Sequence, residues 1–539
     1  MKTEQPRPRP LLAAVAATAL LATASCALVD DPPSPTPETT VTTGSGPIRG
    51  TAAEGYREYL GVPYAAPPIG EMRWRPPAPP EPWEDTLDAT SPGPRCPQHA
   101  VLSGGDVEQS EDCLYLNITV PETANAASEL PVMVWIHGGG FVEGSADEYD
   151  PHRLVLAEDV IVVTVNYRLG LFGNFGHPDL DDSGVFGLLD QQAALRWVRD
   201  RIGAFGGDAE NVTVFGQSAG GQSICAHLAS PTAEGLFHRA IIQSAFCTWD
   251  LPAEMLAPGL PTVSPWAPAT EVAERGDRAA ADLGCAGPDA VDCLRALPVE
   301  DLMPIFGDFA GPAFGTPTLP DNPYQVLRES RTHPVPVLSG STRDENTLTQ
   351  ALHDLAGAPL TAEQYRRRLE HAFGDHADRV AERYPPESFA SPSHAWAIAT
   401  TDRAFSCPTL ERGTLFARQA PAYTYEFADQ NAPTILPEVG YPYGAYHSSD
   451  EAYLFDQRYP TGRAALDAEQ QDLAEAMIAY WAAFARTGDP NVDSLPRWDG
   501  VDPDSRKPYV QELAPGVEGI GPTDAADTHQ CRFWTTIDG

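Results

Sequence analysis

A serine hydroxyl is a weak nucleophile until a base takes its proton and backbone donors receive the charge that develops on its target. The serines worth attention are therefore those whose neighbours leave room for such groups. Ser218 lies in Phe215-Gly216-Gln217-Ser218-Ala219-Gly220-Gly221, after the apolar run NVTVF (211–215) and before SICAHLA (223–229). A strand turning sharply into a helix at a serine exposes its Oγ at the sheet edge and needs small flanking residues. Gly216 and Gly220 are small, and the Ala219 N–H would face the developing oxyanion. Short G-x-S-x-G strings recur by chance; the flanking strand and helix are what make this one specific. Upstream, PVMVWI (131–136) runs into His137-Gly138-Gly139-Gly140-Phe141. Such a segment is either a tight turn or the second half of an oxyanion hole, because glycines let backbone amides approach a reacting carbonyl.

These residues need a frame. Besides PVMVWI and NVTVF, apolar β-branched runs occur at 159–165 (DVIVVTV), 239–243 (RAIIQ) and 334–338 (PVPVL). They read as buried strands. Helical patterns lie between them, among them LLDQQAALRWVRDRI at 188–202, and the alternation predicts an α/β sheet with helices on both faces. Leu473, Met477, Trp481 and Phe484 fall on one face of a late helix that Gly488-Asp489-Pro490 ends. The Pro-rich segment 250–270 reads either as a loop at an active-site mouth or as an ordinary surface excursion.

With 42% hydrophobic and 20% charged residues, the 539-residue chain can bury a large core. Its net charge of −40 repels nucleic acid; a field of this kind either attracts cationic substrates or, more commonly, simply keeps an exported protein soluble. Lys2, Arg7 and Arg9 precede the apolar stretch LLAAVAATALLA (11–22), too short for a comfortable membrane span, which predicts an export signal over 1–25. Thr23-Ala24-Ser25-Cys26 resembles a bacterial lipoprotein box in which Cys26 would carry lipid and tether the protein to a membrane, while Ala22-Thr23-Ala24 equally suits ordinary signal peptidase. Residues 26–43, rich in Pro, Thr and acid, read as a tether, and 44–539 as a single domain. Nine cysteines suit an oxidising compartment, and setting Cys26 aside leaves eight. The close spacings of Cys96 with Cys113 and of Cys285 with Cys293 suggest short bridged loops.

Taken in order, GPIRG (46–50), YLGVPYAAPPIGEMRW (59–74), EDCLYLN (111–117), WIHGGGF (135–141), NYRLG (166–170), FGGDAENVTVFGQSAGG (205–221), TDRAFSCP (401–408), FARTGDPN (484–491) and CRFW (531–534) resemble the type-B carboxylesterase/cholinesterase family of α/β-hydrolases, especially its bacterial para-nitrobenzyl-esterase-like members. The resemblance spans nearly all of the chain after the tether. It implies an α/β-hydrolase fold, with a large, mostly parallel central sheet, and hydrolysis of a small-molecule ester with no metal or organic cofactor. It assigns Ser218 as nucleophile, Glu345 in GSTRDEN (340–346) as triad acid in preference to its neighbour Asp344, and His447 in GAYHSSDE (444–451) as base. Gly139, Gly140 and Ala219 become oxyanion donors, and Ser244 a second-rank hydrogen bond near the acid. Implied disulfides are Cys96–Cys113, Cys285–Cys293 and Cys407–Cys531. Cys225, on the helix after the nucleophile, reads as a buried thiol, with a bridge to Cys247 as the alternative.

Two departures bear on substrate. Many relatives carry Glu before the nucleophile, where Gln217 is neutral. Cholinesterases place a tryptophan in the first disulfide loop, yet 96–113 here contains no Phe, Trp or Tyr, so the platform for a quaternary ammonium is missing. A neutral ester is expected, with Phe141, Phe246 and Trp249 as candidate pocket walls. Adhesion proteins of the family keep the fold without the serine; the presence of Ser218, Glu345 and His447 argues against that reading here.

Overall fold

The computed structural model describes residues 39–99, 107–434, 436–457 and 465–537. The expected export signal and Cys26 lie outside them.

Six strands pair in parallel at the centre: Leu130–Ile136, Ile161–Val165, Gly207–Gln217, Arg239–Gln243, Val337–Thr342 and Ala422–Phe427. They belong to an 11-stranded sheet. One edge is closed by the antiparallel strands Tyr115–Pro121, Tyr56–Pro63 and Thr51–Ala53. At the other edge Gln511–Leu513 runs parallel to Ala422–Phe427 and pairs antiparallel with Ile520–Pro522.

The central strands are apolar on both faces because both faces are covered. Val132, Val134 and Ile136 join one core with Leu195 of helix Phe186–Arg201 and Ile224 of helix Ala219–Ala229. Met133 and Trp135 point the other way, into a core holding Met477, Trp481 and Phe484 of helix Ala468–Thr487. That helix begins with a capping box between Asp467 and Gln470 and stops at left-handed Gly488, φ 81°. Val337–Thr342 starts later than the run PVPVL suggests, since Pro334 and Pro336 have no N–H for the ladder. Thr40–Thr43, which the sequence reading assigns to the end of a tether, is a β-branched strand paired with Gly46–Arg49.

The register brings the chemistry to one end of the sheet. Gly216 lies opposite Ile136, Gln217 opposite Gln243, and Gln243 opposite Gly340. The loops after these strands, at the carboxyl ends where α/β sheets bind ligands, carry the glycine segment, Ser218, Ser244 and Glu345.

The structure joins Cys96–Cys113, Cys225–Cys247, Cys285–Cys293 and Cys407–Cys531. Cys225 is thus bridged rather than a buried thiol. The helix after Ser218 and the segment after Arg239–Gln243 leave neighbouring strands side by side, which brings the two Cα atoms to 6.1 Å.

Candidate active site

Ser218 ends the strand Gly207–Gln217 and caps the helix Ala219–Ala229 with φ 54° and ψ −120°. An L-residue holds this strained conformation only where its surroundings enforce it. Its N–H donates to the Gln243 carbonyl at 2.9 Å, and its own carbonyl accepts from Gln222 N–H at 2.8 Å. The turn is tight enough that a Cβ at Gly220 would stand 1.9 Å from the Ile136 carbonyl oxygen.

The glycine segment lies alongside. A Cβ at Gly138 would come within 3.3 Å of Ser218 Cβ. Gly139 and Gly140 take φ 95° and 60°, and the Gly139 carbonyl accepts from both Val142 and Glu143 N–H at 3.0 Å, so the chain curls back beside the serine. His137 braces it: its Nδ1–H donates to the Gly138 carbonyl at 2.9 Å, and its ring stacks on Tyr167 at 4.3 Å. Burial, partly offset by that bond to Gly138, pushes the His137 pKa down to about 4 and keeps the ring neutral.

Glu345 is fully buried, and its Oε2 accepts from His447 Nδ1 at 2.5 Å. Its Oε1 accepts from Thr342 N–H at 2.9 Å, and the His447 backbone N–H donates to the Glu345 carbonyl at 3.2 Å, so the carboxylate is held at both oxygens and His447 by backbone as well as ring. Asp344 turns elsewhere, accepting from Gln430 Nε2 and Ala445 N–H. Burial alone would depress the His447 pKa; the charge and hydrogen bond of Glu345, with Glu451 and Asp450, outweigh it and leave the pKa raised. Phe405, on a π-helical turn over Asp402–Ser406, packs its ring 5.3 Å from the imidazole. Such turns recur at functional sites. Nε2 of His447 lies 3.1 Å from Nε2 of Gln217.

Ser218, His447, Gln217 and Gly138 to Gly140 line one cavity of about 390 Å³. Ala219 follows Ser218 as the first helical residue. The cavity walls differ in character. Glu143, Glu148 and Glu451 stand on it, with Glu148 paired to Arg95 at 2.6 Å, and Leu256, Leu348 and Leu352, with Val142 and Tyr149, contribute apolar surface. Phe141, Phe246 and Trp249 are not among its lining residues. Phe246 instead backs Phe405 at 4.4 Å, and Trp249 donates to Glu411. Nor does Ser244 bond the acid: its backbone is left-handed, φ 51°, its N–H donates to Gly340, and its Oγ has no partner among the described residues.

The leucine wall was not anticipated, although helix Thr347–Leu355 directly follows Glu345–Asn346 and the Pro-rich segment holding Leu256 was one candidate for the mouth. A buried carboxyl beneath the site was missed as well. Asp450 accepts from Gln243 Nε2 at 2.9 Å and Tyr425 OH at 3.1 Å, and burial, reinforced by the Glu345 charge, pushes its pKa up to about 6. Among the described residues no group of three or more His, Cys, Asp or Glu is placed to hold a metal ion.

A parallel sheet with a strained serine elbow, and a histidine and carboxylate delivered by later loops, defines the α/β-hydrolase class. Comparison with known proteins narrows it. The model of the Carboxylesterase family matches residues 37–534. Para-nitrobenzyl esterase of Bacillus subtilis (strain 168) is 36% identical over 518 residues, covering 89% of this chain and 96% of that protein. A cocaine esterase of Oryctolagus cuniculus is 35% identical, covering 90% and 92%. A solved structure of a thermophilic PNB esterase superposes with a TM-score of 0.75 at 33% identity, over 92% of this chain and 99% of that one. The chain belongs to the carboxylesterase family and is a serine hydrolase of carboxylic esters.

Proposed function

We propose that Ser218, His447 and Glu345 perform this hydrolysis as a triad, with Gly139, Gly140 and Ala219 N–H groups as the oxyanion hole. The observation that carries the reading is the 2.5 Å contact between His447 Nδ1 and Glu345 Oε2, which leaves Nε2 as the basic nitrogen of a ring on the same cavity as Ser218. His447 Nε2 takes the hydroxyl proton as Oγ attacks the ester carbonyl, and the backbone donors hold the resulting oxyanion. Collapse expels the alcohol, which His447 protonates, and leaves an acyl group on Ser218. Water, activated by the same nitrogen, releases the acid. Glu345 fixes the tautomer and stabilises the imidazolium.

The substrate is a neutral ester. Gln217 brings no charge to the serine, and Leu256, Leu348 and Leu352 give the cavity an apolar wall suited to uncharged groups. The protein acts after export: the basic and apolar N-terminal run and the four disulfides support this, and Cys26 supplies a lipid tether where the lipoprotein box is used. Ser218→Ala is the test. Hydrolysis of para-nitrophenyl butyrate should vanish while the melting temperature stays unchanged; activity equal to the unmodified enzyme would refute the assignment.

A further inference from the structure

Residues 251–263 form a closed loop. Leu251 and Val263 exchange both backbone hydrogen bonds, at 2.8 and 3.1 Å, and inside the loop Glu254 N–H donates to the Leu260 carbonyl at 2.8 Å. Its root is packed: Leu251 and Met255 are buried with Ala404 and Phe405, the residue whose ring lies against His447. Its outer part is not. Leu256 and Leu260 are 39% and 41% exposed, although Leu256 also lines the catalytic cavity, where Leu348 and Leu352 lie with it. Leu355, on the helix that carries those two leucines, is 41% exposed. Leu256 therefore faces both the catalytic cavity and solvent, an apolar side chain at the rim of the site.

Side chains clip the loop onto the neighbouring helices. His353 Nε2 donates to the Leu256 carbonyl at 3.2 Å. The Glu254 carboxylate reaches Arg368 Nε at 3.2 Å and His371 Nδ1 at 2.6 Å, both on helix Ala362–Phe373. Glu254 does this from a left-handed backbone, φ 62°, a conformation an L-residue keeps only where other contacts hold it. A packed root, an ionic clip and an apolar tip above a nucleophile are the parts of a flap.

We propose that residues 251–263 are a substrate-gripping flap, latched through Glu254, whose Leu256 closes with Leu348 and Leu352 on an apolar arm of the ester. The favoured substrates are therefore uncharged esters bearing a chain of several carbons rather than acetates of small alcohols. This rests on the acyl-transfer reading of Ser218. The flap contributes no reacting atom; it acts by burying hydrocarbon next to the nucleophile, each methylene so covered improving kcat/KM several-fold.

The test compares kcat/KM for para-nitrophenyl acetate, butyrate and octanoate, and for methyl, butyl and octyl acetate, in the unmodified enzyme, Leu256→Ser and Glu254→Gln. Leu256 is partly exposed, so its replacement should leave the melting temperature unchanged. The flap predicts that Leu256→Ser lowers kcat/KM on the octyl-chain ester of at least one series by about tenfold or more relative to its effect on the shortest-chain acetate of that series. Glu254→Gln should raise KM for the same long ester several-fold and leave its kcat unchanged. Chain-length profiles that neither variant moves, or equal losses on short and long esters, would overturn the flap. Retained hydrolysis of the short acetate keeps this outcome distinct from failure of the Ser218 assignment, which would show in Ser218→Ala.

Discussion

Gln217 Nε2 stands 3.1 Å from Nε2 of His447, the nitrogen that receives the Ser218 proton in the proposed triad. With Nδ1–H committed to Glu345, Nε2 of the neutral ring is an acceptor, so the amide N–H donates to it. Gln217 thus touches the proposed base directly and stabilises its uncharged form.

A carboxylate in that place would do the opposite. The substitution Gln217→Glu would favour the imidazolium, adding to the upward pull that Glu345, Glu451 and Asp450 already exert on His447. The acid limb of the kcat/KM profile should move up by about one pH unit, so that activity on the limb falls about tenfold while the alkaline plateau is kept. A pH series with para-nitrophenyl butyrate reads this directly, and superimposable limbs would remove Gln217 from contact with the base in solution.

Gly139 tests the oxyanion hole. At φ 95°, an added Cβ would stand 2.1 Å from the Glu143 carbonyl oxygen, so Gly139→Ala must displace the curl that presents the amides. Misplacing one donor should lower kcat about 10²-fold with a smaller change in KM, because the lost bond forms fully only in the transition state. Stopped-flow acylation should slow in parallel; a change confined to KM would contradict the assignment.

His529 is buried between Asp402, at 2.6 Å from Nδ1, and Glu426, which meets Nε2. Burial would lower its pKa, but the two carboxylates outweigh it and push it up to about 10. A group whose folded pKa is raised contributes fully below its unfolded value, about 6.5, and loses that contribution as pH rises toward the folded one. Stability should therefore decline between about pH 6.5 and 10. His529→Gln, which leaves two buried carboxylates facing each other across an uncharged amide, should cost on the order of 3 kcal/mol at neutral pH and flatten that slope. Thermal melts across the range check both; parallel curves would show that His529 is neutral in the folded protein.

Much of the fold was legible because its strands are uninterrupted β-branched runs buried on both faces, and the glycines around Ser218 and at 138–140 mark where backbone must approach backbone. What escaped depends on contacts between distant segments. Leu256, Leu348 and Leu352 carry no pattern that separates a cavity wall from ordinary core, and the contact of Gln217 with His447 joins residues 230 apart in sequence. The aromatic residues near the motifs, Phe141, Phe246 and Trp249, suggested walls by proximity in sequence, but Phe246 and Trp249 turn to Phe405 and Glu411 instead. Cys225 looked like a lone helical thiol until parallel strands set it beside Cys247. Thr40–Thr43, with acid and proline just upstream, read as tether although its alternation suits the strand it forms.

The central claim is that Ser218 is the residue acylated. Treating the enzyme with a fluorophosphonate until esterase activity is lost, then mapping the adduct by peptide mass spectrometry, tests it most directly. One phosphonyl group per chain, on the peptide containing Ser218 and absent from Ser218→Ala, is the predicted result; complete inactivation with the label on another residue would contradict it.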